Sequence, residues 1–177
     1  TPGTATKVAP NLITNVSLSL KSIVPVIGQP STQSFDYVSD FDTNGLLYGI
    51  GTGFDPEGTY VNPCTSGGVK VEISHEKLYL TDMQKHNIIS RSNSPVSTYW
   101  GGTAPQWFSV DLGDNNRLMC SHYTLRHGYS AANSYICNWE FQASVDGDNW
   151  IMLHKGDETP FNKGYDTKTF PIKECHD

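Results

Sequence analysis

The stretch from Trp107 to Trp150 constrains this chain most. It reads Trp107-Phe-Ser-Val-Asp-Leu-Gly113, then Tyr123-Thr-Leu-Arg-His-Gly128. Asn138-Trp-Glu-Phe-Gln-Ala-Ser144 and Val145-Asp-Gly-Asp-Asn-Trp150 follow. Phe108, Val110 and Leu112 alternate with Trp107, Ser109 and Asp111. Tyr123, Leu125 and His127 alternate with Thr124 and Arg126, and Trp139, Phe141 and Ala143 with Glu140 and Gln142. A period of two is the signature of half-buried strands. Asp146-Gly147 predicts a turn, because glycine tolerates the positive φ a hairpin needs. Trp150 and Met152 begin the return strand. The expectation is an all-β antiparallel sandwich with little helix, whose Trp, Phe and Leu positions in this block are mostly core.

The rest of the chain fits that frame. Val16-Ser-Leu-Ser-Leu20 and Val69-Lys-Val-Glu-Ile73 alternate cleanly, and Thr167 to Ile172 offers one more strand. Leu46 to Ile50 is an apolar run, and Leu78 to Ile89 reads as a short helix or irregular segment. Gly28 to Ser34 is a polar break. It divides residues 1–34, an extension with one strand, from a sandwich domain over 35–177. The full length of 177 residues suffices for one substantial core.

Charge and composition exclude some functions. A phosphate backbone or an anionic membrane wants a basic face, which a net charge of −6 disfavours, so neither nucleic acid nor membrane insertion is expected. No apolar run approaches the roughly 20 residues of a membrane helix, and the N-terminus lacks the charged–apolar–small pattern of a secretory leader, which a mature chain would have lost. Cys64, Cys120, Cys137 and Cys175 are too sparse for a disulfide scaffold, which favours free thiols and a cytoplasmic setting. The sequon Asn15-Val-Ser17 suits the alternative, a secreted protein.

Catalytic signatures are missing from the sequence. There is no Gly-x-Ser-x-Gly elbow, no His-paired cysteine context and no phosphate-binding Gly-Lys loop, so the chain is read as a non-enzyme without a cofactor. Asp40-x-Asp42-x-Asn44-Gly45 matches the first half of an EF-hand, but the twelfth position is Gly51, not a bidentate glutamate. Asp40, Asp42 and Asn44 remain candidates for a structural calcium, against a plain Asx-rich turn. Cys120, His122, His127 and Cys137 have no known zinc spacing. Tyr99 and Trp100 sit in a Gly/Ser/Pro loop, where aromatics stack on sugars or anchor protein partners. The alternative folds Trp100 back onto the end of the sandwich. Phe54 and Tyr60 bracket a second candidate contact loop. Arg126 either pairs with Asp111 or Glu140 or lines a ligand groove.

From Phe41 to Ile172 the chain resembles the discoidin, or coagulation factor 5/8 type C, galactose-binding-like superfamily. Trp107–Gly113 is similar to that family's Trp-x-x-Val-Asp-Leu-Gly strand, and Asn138–Trp150 to its Ser-x-Asp-Gly hairpin. Asp40–Thr52 and Tyr123–Gly128 resemble the subfamily found in HECT-type ubiquitin ligases, compared there with the SUN jelly roll, and in plant BTB-domain proteins. The resemblance implies a jelly-roll sandwich acting as a protein-interaction or scaffolding module of a larger intracellular protein. Two alternatives accompany it: a glycan-binding, lectin-like module of a secreted or surface protein, and an accessory domain of an enzyme such as a ubiquitin ligase. The family also closes its sandwich with a C-terminal strand that is not seen before Asp177. Either the chain is a fragment, or a strand such as Val16–Leu20 takes that place.

Overall fold

A computed structural model describes residues 12–23, 33–74, 85–94, 96–97, 106–113, 116–128, 136–157 and 159–173. The chain is an antiparallel β-sandwich of jelly-roll type with very little helix. β1 (Leu12–Ile23) pairs antiparallel with both β3 (Val96–Ser97) and β5 (Leu118–His127), and β5 pairs with β8 (Thr167–Pro171). These form a four-stranded sheet in the order β3-β1-β5-β8. β2 (Lys70–Ile73) pairs with β4 (Phe108–Asp111), and β6 (Trp139–Ala143) with β7 (Ile151–Gly156).

The alternating sequences fold as their period requires. In β2, Val71 and Ile73 are buried while Lys70 and Glu72 face solvent, where they form an ion pair of 2.5 Å. Val71 and Ile73 stand opposite Val110 and Phe108 of β4 in the register. β5 is the central strand. Tyr123, Leu125 and His127 are buried on one face, and Thr124 is buried as well. Thr124 is covered because β8 runs alongside, and its hydroxyl meets that of Thr169 at 2.8 Å.

Tyr123 organises the core between β5 and the β6–β7 hairpin. Its ring stacks on Phe141 at 4.2 Å and on Phe170 at 5.2 Å. Its hydroxyl accepts the Trp139 indole N–H at 2.8 Å and meets His154 Nδ1 at 2.5 Å. A buried phenol needs such partners, since an unsatisfied hydroxyl is costly to bury. Trp139 lies across Gly156, its partner in the register, and a Cβ there would fall on the indole ring.

Two short helical features stand among the strands. Leu46–Gly51 forms a short helix, α1, with no side-chain cap. So short a helix is held by packing, not by propensity. Gly49 lets Phe35 and Phe54 approach, and Gly51 lets Tyr60 approach. The expected helical or irregular segment at Leu78–Ile89 contributes one 3-10 turn, His86–Ile89, while residues 75–84 lie outside the described residues.

Candidate functional site

One end of the sandwich gathers charge and aromatic rings. The loop over residues 36–44 is braced by its own acid. Asp42 Oδ2 accepts the backbone amides of Val38 and Ser39, both at 3.1 Å, and Oδ1 accepts that of Asn44 at 2.9 Å. Asn44 Nδ2 donates to the Asp36 carbonyl, and the Tyr37 hydroxyl donates to Asp40 Oδ1 at 3.1 Å. Arg91, beyond the 3-10 turn, donates to the carbonyls of Asp42 at 3.0 Å and Phe41 at 2.9 Å. The candidate calcium ligands Asp40, Asp42 and Asn44 therefore take part in hydrogen bonds typical of an Asx-rich turn. The two nearby carbonyls face a guanidinium. Among the described residues, no group of three or more His, Cys, Asp or Glu side chains could hold a metal ion.

The same loop presents Phe41 at a φ of 61°, a region side-chain-bearing residues rarely occupy. Its ring carries two cations: the guanidinium carbon of Arg91 lies 4.2 Å from the centroid and that of Arg126 lies 4.9 Å away. Arg126 also lies 5.7 Å from the Tyr165 ring, and Arg91 lies 5.2 Å from Tyr48. Tyr165 is likewise held at positive φ, 56°. Burial lowers the pKa of Arg126, Tyr165 raises it and Arg91 lowers it again. An arginine stays charged even so, and cation–π contacts hold it in place. Glu140, one of its two expected partners, accepts Lys155 at 3.4 Å. Asp111, the other, accepts the Gly113 amide at 2.8 Å.

The other sequence-derived candidates divide. Phe54 is exposed, sits at a φ of 60° and has its ring 6.2 Å from Phe35. Tyr60 is half-buried. It stacks on Tyr48 at 5.3 Å, and its hydroxyl donates to the Ile89 carbonyl at 3.2 Å. Tyr60 and Arg126 thus come together around Tyr48, Arg91 and Phe41, with Phe54 beyond α1. Tyr99 and Trp100 lie outside the described residues. The recess between Phe41, Tyr48, Tyr60 and Arg91 is no larger than a water molecule.

A second surface was not foreseen. Val145, Trp150, Ile151 and Met152 are all exposed, Ile151 at 61% and Met152 at 57%. Trp107 is exposed as well. The expectation that the Trp107–Trp150 block is mostly core holds for Phe108, Val110, Leu112, Trp139 and Phe141, but not for Trp107 or Trp150. Two causes act together. Ser144 to Trp150 forms a broad loop, not a tight turn, closed on Asp146, whose carboxylate accepts Ser144 Oγ, both Asn149 nitrogens and the Asp148 amide. These bonds hold its pKa well below the usual carboxylate range. A register shift between Phe141 and Gln142 then disturbs the alternation opposite Ile151 and Met152. Consecutive apolar residues on a strand were the available signal, since one of them must face outward.

The F5/8 type C domain family matches residues 74–175, more than half of the chain. A BTB/POZ domain-containing protein of Arabidopsis thaliana is 30% identical over 76% of this chain. The E3 ubiquitin-protein ligases hecd-1 of Caenorhabditis elegans and Ufd4 of Drosophila melanogaster are 31% and 34% identical over 69% and 78% of it. The chain spans only 17%, 4% and 5% of those three proteins' own lengths. No solved structure matches it. The sandwich, its strand motifs and this kinship agree: the chain belongs to the F5/8 type C domain family.

Proposed function

We propose that this domain is a non-catalytic protein-interaction or scaffolding module of a larger cytoplasmic protein. The observation that carries the reading is the exposed apolar surface of the β6–β7 hairpin, formed by Val145, Trp150, Ile151 and Met152. Exposed aromatic, Met and branched side chains within one hairpin are the composition of a protein contact. β7 has β6 as its only hydrogen-bonded neighbour among the described residues, so its outer edge can also receive a strand. Kinship with ubiquitin ligases and a BTB protein supports the cytoplasmic setting. No helix among the described residues is long and apolar enough to cross a membrane.

The 177-residue chain expressed in cells tests this, with Ile151→Asp/Met152→Asp as the paired variant. Proteins retained by the wild type should fall at least tenfold with the variant, at unchanged melting temperature. Equal retention by both refutes the hairpin as the contact. Sharp chelator-sensitive binding on a glycan array would favour the lectin reading instead.

A further inference from the structure

The β6–β7 hairpin is open on both of its faces at its loop end. Ile151 and Met152 are neighbours on β7, paired with Ala143 and Gln142 in the register. Successive side chains on a strand point to opposite faces, and both of these are exposed. A helix laid on the hairpin would cover one face and leave the other residue in water. A strand added along the edge brings side chains to both faces at once, and its main chain supplies the ladder bonds.

Of the two strands, β7 is the one suited to receive it. β6 shows Glu140 and Gln142 to solvent, and the Gln142 amide donates to Glu140 at 2.9 Å. Polar and charged side chains of this kind guard an edge against pairing. β7 shows apolar side chains instead. Its single Lys, Lys155, sits near the far end and is drawn to Glu140 at 3.4 Å. Among the described residues, β6 is the only hydrogen-bonded neighbour of β7.

Charge selects the occupant. Between Ser144 and Asp157 the chain has Asp146, Asp148 and Asp157 against the one cation Lys155. Asp146 and Asp148 are exposed in the loop that leads into Ile151. Asp146 is bound by neutral groups, the Ser144 hydroxyl, both Asn149 nitrogens and the Asp148 amide, so these bonds do not cancel its charge. The open edge is therefore apolar with an acidic end. An acidic segment would be repelled there and a basic one drawn in.

We propose that the outer edge of β7 receives an extended segment of a partner protein, a short apolar run with lysine or arginine beside Asp146 and Asp148. This rests on the reading of the hairpin as a protein contact and names the chemistry of what fills it. The charged part of the contact weakens with salt, because screening acts over about 10 Å at 0.1 M ionic strength.

The test uses the whole 177-residue chain, labelled with nitrogen-15, at low salt. The probe is a blocked heptapeptide of two lysines, three valines and two threonines, in that order. One control carries glutamates for the lysines. Another carries prolines for the valines, and so lacks the main-chain N–H groups that a ladder needs. The lysine peptide should give saturable shifts on the amides of Asp148 and of Ile151 to Lys155, and slow hydrogen exchange at the outward amides of β7. The glutamate and proline peptides should each bind about tenfold or more weaker. Asp148→Lys should weaken the lysine peptide about threefold, as reversal of one exposed rim charge does, and Glu57→Lys, in the loop that follows α1, by under twofold.

The inference is overturned if the glutamate peptide binds as tightly as the lysine peptide, or if the proline peptide does, since the contact would then be selected by neither charge nor edge. Concentration-dependent shifts of the same β7 amides without peptide also overturn it, because a second copy would then fill the edge. The comparison of peptides is made on the wild type and stands even if a variant does not fold. No binding of the lysine peptide, alongside partner loss with Ile151→Asp/Met152→Asp, sinks this inference alone. Partners retained by that paired variant sink the hairpin reading on which it rests.

Discussion

Tyr123→Phe removes one oxygen from the centre of the sandwich and isolates what its polar bridge contributes. The hydroxyl accepts from Trp139 at 2.8 Å and meets His154 at 2.5 Å. The ring stays, with its stacking on Phe141 and Phe170. Apolar burial therefore hardly changes, and the loss is two hydrogen bonds. A net bond contributes about 0.5–1.5 kcal/mol, and a buried donor left alone costs about 1–3 kcal/mol. Trp139 is half-buried, as is His154, so water can partly replace the lost partner. The expected cost is about 1–3 kcal/mol. In a domain of this size each kcal/mol moves Tm by roughly 2–4 °C, so Tm should fall by about 2–12 °C. Urea unfolding followed by tryptophan fluorescence measures the change directly.

A double-mutant cycle assigns the loss. If the Trp139 bond carries it, Tyr123→Phe should cost about 1 kcal/mol less in a Trp139→Phe background. Burial also pushes the Tyr123 phenol up to about 12 from its usual 10.0. Its contribution is complete below pH 10.0 and is lost as pH rises towards 12, because only the unfolded chain releases the proton readily there. The wild type should thus lose stability over that alkaline window, and Tyr123→Phe should lack this component. A Tyr123→Phe protein within about 0.5 kcal/mol of the wild type, with the same alkaline profile, would refute the bridge as a source of stability.

Other substitutions probe separate parts of the fold. Gly156→Ala drives a methyl group into the Trp139 indole, and overpacking of this kind should cost about 1–3 kcal/mol or more in the same urea assay. Ile151→Asp and Met152→Asp change exposed side chains and should stay within about 0.5 kcal/mol of wild type; a larger loss would mean that the hairpin surface is packed. Asp146 has a depressed pKa, so the Ser144–Trp150 loop is stabilised above the usual carboxylate pKa of 3.8 and loosens as pH falls towards its lower folded value. The amide resonances of Asp148 and Asn149 should report that loosening in wild type and not in Asp146→Asn. Burial raises the Cys64 thiol to about 11, so it should resist alkylation at neutral pH until the chain is unfolded. Rapid labelling of the folded protein would contradict its packed position.

The chain's own pattern determined the strands and the family. Val71 and Ile73 alternate with charged neighbours, and the core positions of β4, β5 and β6 with polar or charged ones, because a strand has only two faces and its apolar one is turned to the core. The motifs in Trp107–Gly113 and Asn138–Trp150 point to the F5/8 type C fold for the same reason, since they are made of such positions. Tertiary structure alone decided the rest. The apolar run at Leu46 is a helix because Gly49 and Gly51 admit rings from distant residues, which no local period records. Tyr60 carries a loop-candidate's sequence but stacks on Tyr48, whereas Trp150 carries a core residue's sequence but lies exposed. Arg126 was legible as a polar residue on a strand. That it shares a ring with Arg91 was not, because the contact depends on the left-handed turn at Phe41 and on loops that converge only in the folded sandwich.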